Sequence, residues 1–125
     1  MGHKILVVDD EDNIVQMLKS RLEANHYQVV TASNGTEALV QLASERPDLI
    51  VLDVMMPQMD GYTFLKELKR RGSGRIPPII VLTVNGGMQE LFELEGAVDY
   101  MTKPFDGNHL VERVKKHLDG QTVKG

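Results

Sequence analysis

Short apolar runs alternate along the chain with longer segments in which apolar residues recur every three or four positions. The runs fall at Lys4–Val8, Gln28–Ala32, Leu49–Leu52, Ile79–Leu82 and, more weakly, Val98–Met101. A strand with one solvated face alternates apolar and polar residues, whereas one covered on both faces does not. The first, third and fourth runs are near-continuous Val, Ile and Leu, so they read as parallel strands with helices on both sides. Between the runs, helical spacing is kept by Ile14, Met17, Leu18 and Leu22, by Ala38, Leu39, Leu42 and Ala43, by Phe64, Leu65 and Leu68, and by Leu110, Val111, Val114 and Leu118. Boundary signals agree. Asn34 stands three residues before Glu37 as in a capping box, Asp60 and Asp106 each precede a glycine at a helix start, and Pro47, Pro57, Pro77 and Pro78 punctuate loops. A further short helix is expected after Gly86 and Gly87, resting on Met88, Leu91 and Leu94 and stopped by Gly96. Strand and helix in alternation predict an open α/β fold of five βα units, a doubly wound parallel sheet with helices on both faces.

Composition narrows the function without naming one. At 125 residues and 42% hydrophobic, the chain has the size of one domain with one core; residues 1–118 are expected to form it, with 119–125 a polar tail or a trimmed linker. A net charge of -4 argues against a basic surface for nucleic acid or anionic lipid. The absence of cysteine excludes disulfides, thiolate nucleophiles and Cys-based zinc sites. No apolar run approaches the ~20 residues needed to span a bilayer, and a cytoplasmic location is expected. His3, His26, His109 and His117 lack ligand spacing, and Arg113, Lys115 and Lys116 read as complements to the dipole of the last helix.

The chemistry-bearing residues sit where strands end. In open α/β sheets ligands bind outside the carboxyl ends of the strands. The first run is followed by Asp9, Asp10, Glu11 and Asp12, the third by Asp53, the fourth by Thr83 and the fifth by Lys103. Two carboxylates ~5 Å apart repel by roughly 3 kcal/mol at an effective dielectric of ~20, so Asp9, Asp10 and Asp53 on one rim call for a cation. Oxygen ligands without His or Cys suit Mg²⁺, which shares phosphate oxygens readily. An aspartate carboxylate is a competent nucleophile at neutral pH, which makes Asp53 the candidate phosphoacceptor. Lys103 and the Thr83 hydroxyl are placed to stabilise charge on a transferring phosphoryl group.

The runs ILVVDD (Ile5–Asp10), LDVMMPQMDG (Leu52–Gly61), Thr83 after PPIIVL, and YMTKPF (Tyr100–Phe105) together resemble the bacterial response-regulator receiver family, in the right order and over nearly the whole chain. The resemblance implies the flavodoxin-like strand order 2-1-3-4-5, of which a chemotaxis receiver is a standard example. It implies Asp53 as phosphoacceptor, Asp9 and Asp10 as the acidic pair, and Asp10, Asp53 and the Met55 backbone carbonyl as Mg²⁺ ligands. Thr83 and Lys103 are then the switch hydroxyl and the phosphate-contacting lysine, Tyr100 the rotating switch aromatic, and Lys103–Pro104 a cis peptide. The implied partners are a sensor histidine kinase or phosphotransfer protein, and an output domain or partner met through the fourth predicted helix, fifth strand and last helix. The chain departs from the family pattern in a shortened Thr83–Lys103 segment and in Val84, where a small residue is usual; bulk there would narrow the path to the phosphoryl group.

Other functions fit less well. A haloacid-dehalogenase-like phosphohydrolase would carry a second aspartate where Met55 stands. A flavodoxin-like cofactor binder would need a hydroxyl- or glycine-rich phosphate loop in place of Asp9–Asp12, which repels phosphate. An inert pseudo-receiver would not be expected to keep Asp9, Asp10, Asp53, Thr83 and Lys103 together.

Overall fold

The computed structural model of the chain describes residues 3–53, 61–71, 76–83, 97–103 and 105–123. Its elements are β1 (Lys4–Val8), α1 (Asp12–Ala24), β2 (Gln28–Ala32), α2 (Gly35–Glu45), β3 (Leu49–Asp53), α3 (Gly61–Arg71), β4 (Ile79–Thr83), β5 (Asp99–Thr102) and α4 (Gly107–Val123). The strands form one sheet in the order β2-β1-β3-β4-β5, every neighbouring pair parallel. The fold is therefore the doubly wound sheet expected from the sequence.

Strand alternation divides the core in two. Ile5, Val7, Leu49, Val51, Ile80 and Leu82 pack with Leu18 and Leu22 of α1 and with Leu110, Val114 and Leu118 of α4. Leu6, Val8, Ile50, Leu52, Ile79 and Val81 pack on the other face with Ala38 of α2 and with Phe64 and Leu68 of α3. β3 is buried along its whole length, as the apolar run Leu49–Leu52 requires, and carries Asp53 into the interior with it. Covering both faces of the central strands withdraws each Val, Ile and Leu from water, worth roughly 1.5–3 kcal/mol per fully buried side chain.

Local signals act at the expected places. The Asn34 side chain accepts the Glu37 amide at 2.8 Å, capping α2, and Glu37 reaches back to the Ser33 amide rather than to that of Asn34. Asp106 accepts the Asn108 amide at 2.8 Å at the head of α4.

Several boundaries differ from the sequence reading. β3 and β4 each gain a residue, because the ladder continues to Asp53↔Leu82 and Thr83↔Thr102. β5 begins at Asp99 rather than Val98, whose side chain is exposed. Val15, not Ile14 or Met17, completes the buried stripe of α1 with Leu18 and Leu22. Ala43 is exposed because five positions along a helix carry it about 140° round the axis from buried Ala38. α4 runs on to Val123, through much of the stretch read as a polar tail. The short helix expected after Gly87, with Pro57 and Asp60, lies outside the described residues.

Candidate functional site

Register brings the site together. Val8 of β1 is paired with Leu52 of β3, so Asp9 and Asp53 stand side by side one step further along. Both continue the alternation that sends Val7 and Val51 to the α1/α4 face. Lys103 follows β5 in phase with Met101 of that same face. Three residues from three strand ends thus converge by strand geometry before any loop is considered.

Asp9 and Asp53 are 1% and 2% exposed, the two buried polar or charged residues among those described. Each has its compensation. The Glu11 amide donates to Asp9 Oδ1 at 2.9 Å, a local turn that also launches α1. The Lys103 ammonium donates to Asp9 Oδ2 at 3.3 Å and lies 3.4 Å from Asp53 Oδ2 and 3.1 Å from Glu11 Oε1. Burial pulls the Lys103 pKa down, but its bond to Glu11 and the charges of Asp53 and Asp9 outweigh that, and the net effect is upward. The ammonium is accordingly held charged at neutral pH.

Asp10 is exposed, and its carboxylate completes a set: Asp9, Asp10 and Asp53 each offer an oxygen within 4.8 Å of the others. Three hard oxygen donors, two of them buried, suit Mg²⁺ or a similar cation and supply none of the soft ligands a transition metal would favour. Lys103 neutralises only part of this charge. The negative charge that remains would be offset by a divalent cation held by these carboxylates.

Of the other predicted residues, Thr83 ends β4 beside Thr102, which puts its backbone on the same rim. Tyr100 is half-buried, paired with Val81 and packed against the α2/α3 side of the core. Met55, Val84 and Pro104 lie outside the described residues.

Two features escaped the sequence reading. Glu11 is a direct partner of Lys103, although within the acidic run it had no distinguishing mark. Asp99 binds Arg113 at 2.6 Å and His117 at 3.0 Å, so Arg113 is an ion-pair partner of β5 rather than a mere complement to the helix dipole. The available signal was the i, i+4 spacing of Arg113 and His117, which puts both on one face of α4.

Among known proteins, residues 5–115 match the family described as "Response regulator receiver domain". The chain is 48% identical over 120 residues to the alkaline phosphatase synthesis transcriptional regulatory protein PhoP of Bacillus subtilis, covering 94% of this chain and 49% of that protein. It thus spans about half the length of that relative. Chemotaxis response regulator CheY4 of Vibrio cholerae superposes with a TM-score of 0.85 at 32% identity, covering 93% of this chain and 98% of CheY4. The receiver domain of sensor histidine kinase PA1611 from Pseudomonas aeruginosa, solved with a magnesium ion coordinated in the active site cleft, gives 0.84 at 30% identity over 95% of this chain and 99% of its own.

Proposed function

The chain belongs to the response-regulator receiver family of two-component signalling, and on that premise we propose that it is switched by a phosphoryl group accepted on Asp53. The donor is a sensor histidine kinase, a phosphotransfer protein or a small phosphodonor. A carboxylate oxygen of Asp53 attacks phosphorus. The Asp53 O–P bond forms as the bond from phosphorus to the donor breaks, its electron pair leaving with the donor. Water later attacks the same phosphorus, returning inorganic phosphate and the free carboxylate, so the domain catalyses only its own phosphorylation and dephosphorylation.

The observation that carries this reading is the meeting of Asp9, Asp10 and Asp53 within 4.8 Å under an ammonium, Lys103, that reaches two of them. Asp10, Asp53 and the Met55 carbonyl are the proposed Mg²⁺ ligands, with Asp9 behind them. When bound, Mg²⁺ offsets the carboxylate charge and polarises the phosphoryl oxygens. Lys103 moves its positive charge onto the incoming group, and Thr83 donates a hydroxyl hydrogen bond to it. Retraction of Thr83 toward the phosphoryl group and inward rotation of Tyr100 transmit the change to a partner surface made of residues 84–100, β5 and α4. The domain is proposed to act in the cytoplasm through protein partners, without touching nucleic acid itself; among the described residues, no helix is long and apolar enough to cross a membrane.

Incubation with acetyl phosphate and Mg²⁺ should add one phosphate, detected by intact mass. Asp53→Asn should remain unlabelled, and labelling equal to the parent would assign the acceptor elsewhere.

A further inference from the structure

Lys103 has three ammonium hydrogens and three carboxylate neighbours, Asp9 at 3.3 Å, Glu11 at 3.1 Å and Asp53 at 3.4 Å. The ammonium donates to Asp9 and Glu11 and makes an ion-pair contact with Asp53, so a phosphoryl oxygen on Asp53 competes with Asp9 and Glu11 for its hydrogens. The cost of release is not shared evenly. The side chains of Asp9 and Asp53 are 0% and 3% exposed, so neither can turn to water. That of Glu11 is 59% exposed and is rehydrated as soon as it lets go. Glu11 also occupies the N-cap of α1 without using its side chain to cap that helix. A glutamate is a poor choice for that position, where Ser, Thr, Asp or Asn would satisfy a free amide. Its carboxylate is turned to Lys103 instead.

Resting on the assignment of Asp53 as phosphoacceptor, we propose that Glu11 is a positioning residue that holds Lys103 in the unphosphorylated receiver and competes with the phosphoryl group for it. Lys103 exchanges Glu11 for phosphoryl oxygens when Asp53 is modified. The strength of the Glu11 contact therefore sets how readily the phosphorylated conformation forms and how firmly it is kept.

The test compares Glu11→Gln with Asp12→Asn, which removes a neighbouring exposed charge that makes no described contact with Lys103. In Mg²⁺ and beryllofluoride, a phosphoryl mimic, Glu11→Gln should bind the mimic about 2- to 5-fold more tightly than the parent. The gain should persist in ~0.5 M salt, where the Debye length is short and the long-range contribution of Asp12→Asn fades. Glu11→Asp, shorter by one methylene, should fall between parent and Glu11→Gln. Without metal or mimic, labelling of Lys103 by an amine-reactive ester should rise in Glu11→Gln and stay at the parent level in Asp12→Asn. Unchanged or weaker binding of the mimic by Glu11→Gln, or equal gains in the two variants at high salt, overturns the proposal and leaves Asp53 standing. A parent that fails to bind the mimic overturns both.

Discussion

Asp99 occupies both of its oxygens: Oδ1 accepts from Arg113 at 2.6 Å and from the Tyr100 amide at 2.8 Å, and Oδ2 faces His117 at 3.0 Å. Burial works to raise its pKa, but the bonds from His117, Arg113 and the Tyr100 amide, with the Arg113 charge, carry it below its ordinary value of 3.8. A carboxyl depressed on folding stabilises fully above its unfolded pKa, and that contribution is lost as pH falls from there through the folded value. The window is therefore acid, from about pH 4 downward. Asp99→Asn should lower stability by about 1 kcal/mol at neutral pH and flatten the acid limb of a urea-derived stability profile. Parallel limbs for parent and variant would show that Asp99 does not carry this dependence. Asp9, Asp10, Asp53 and Lys103 could be picked out in the sequence because strand ends mark them. Spacing puts Arg113 and His117 on one face of α4, but it does not say that Asp99 is what that face meets, since their meeting depends on how α4 packs on β5.

Between elements, the α1/α4 contact rests on a glycine. A Cβ built on Gly107 would fall 2.5 Å from Arg21 Nε and 3.1 Å from Met17 Sδ. Arg21 crosses that gap to bond Asn108 at 2.7 Å, tying α1 to the head of α4 just after the segment that bears Lys103. Gly107→Ala sets a helix-propensity gain of up to ~1 kcal/mol against displacement of Arg21. In the parent the change should be neutral or destabilising. In an Arg21→Ala background it should stabilise by about 0.5–1 kcal/mol, and a double-mutant cycle by urea unfolding measures the difference. Additive effects would mean that Arg21 and Gly107 do not constrain each other. At this scale the four described helices and the five strands were legible from apolar patterning, and the Asn34 cap from its spacing to Glu37. The errors lay where period says nothing: Val98 is exposed before the last strand, and Val15 replaced its neighbours in the buried stripe because a 3.6-residue repeat leaves the centre of a face ambiguous by one position.

For the whole molecule, the two-sided core was foreshadowed by the unbroken apolar runs of β1, β3 and β4. Strand order followed from the family resemblance, and the convergence of Asp9, Asp53 and Lys103 follows from that order together with register. Glu11 was not legible in the sequence, because only its contact with Lys103 distinguishes it from the likewise exposed Asp12. One contact has a consequence for how the protein is made. Lys103 meets Glu11 and Asp9 across 92 and 94 residues of chain, so the ion cluster is closed by a late-synthesised segment returning to the first strand. Long loops are slow to close and are rewarded only after their entropy has been spent. A partly synthesised or partly refolded chain can therefore have β1 to β3 paired and Asp9 and Asp53 side by side while still lacking the Lys103 ammonium. In stopped refolding, acceptance of phosphate from acetyl phosphate should return no earlier than protection of the β5 amides; earlier recovery would show that Lys103 is dispensable. If acceptance needs Lys103, a chain stopped before residue 103 is expected not to take up the phosphoryl group, so that competence to receive it would report that synthesis has passed this residue.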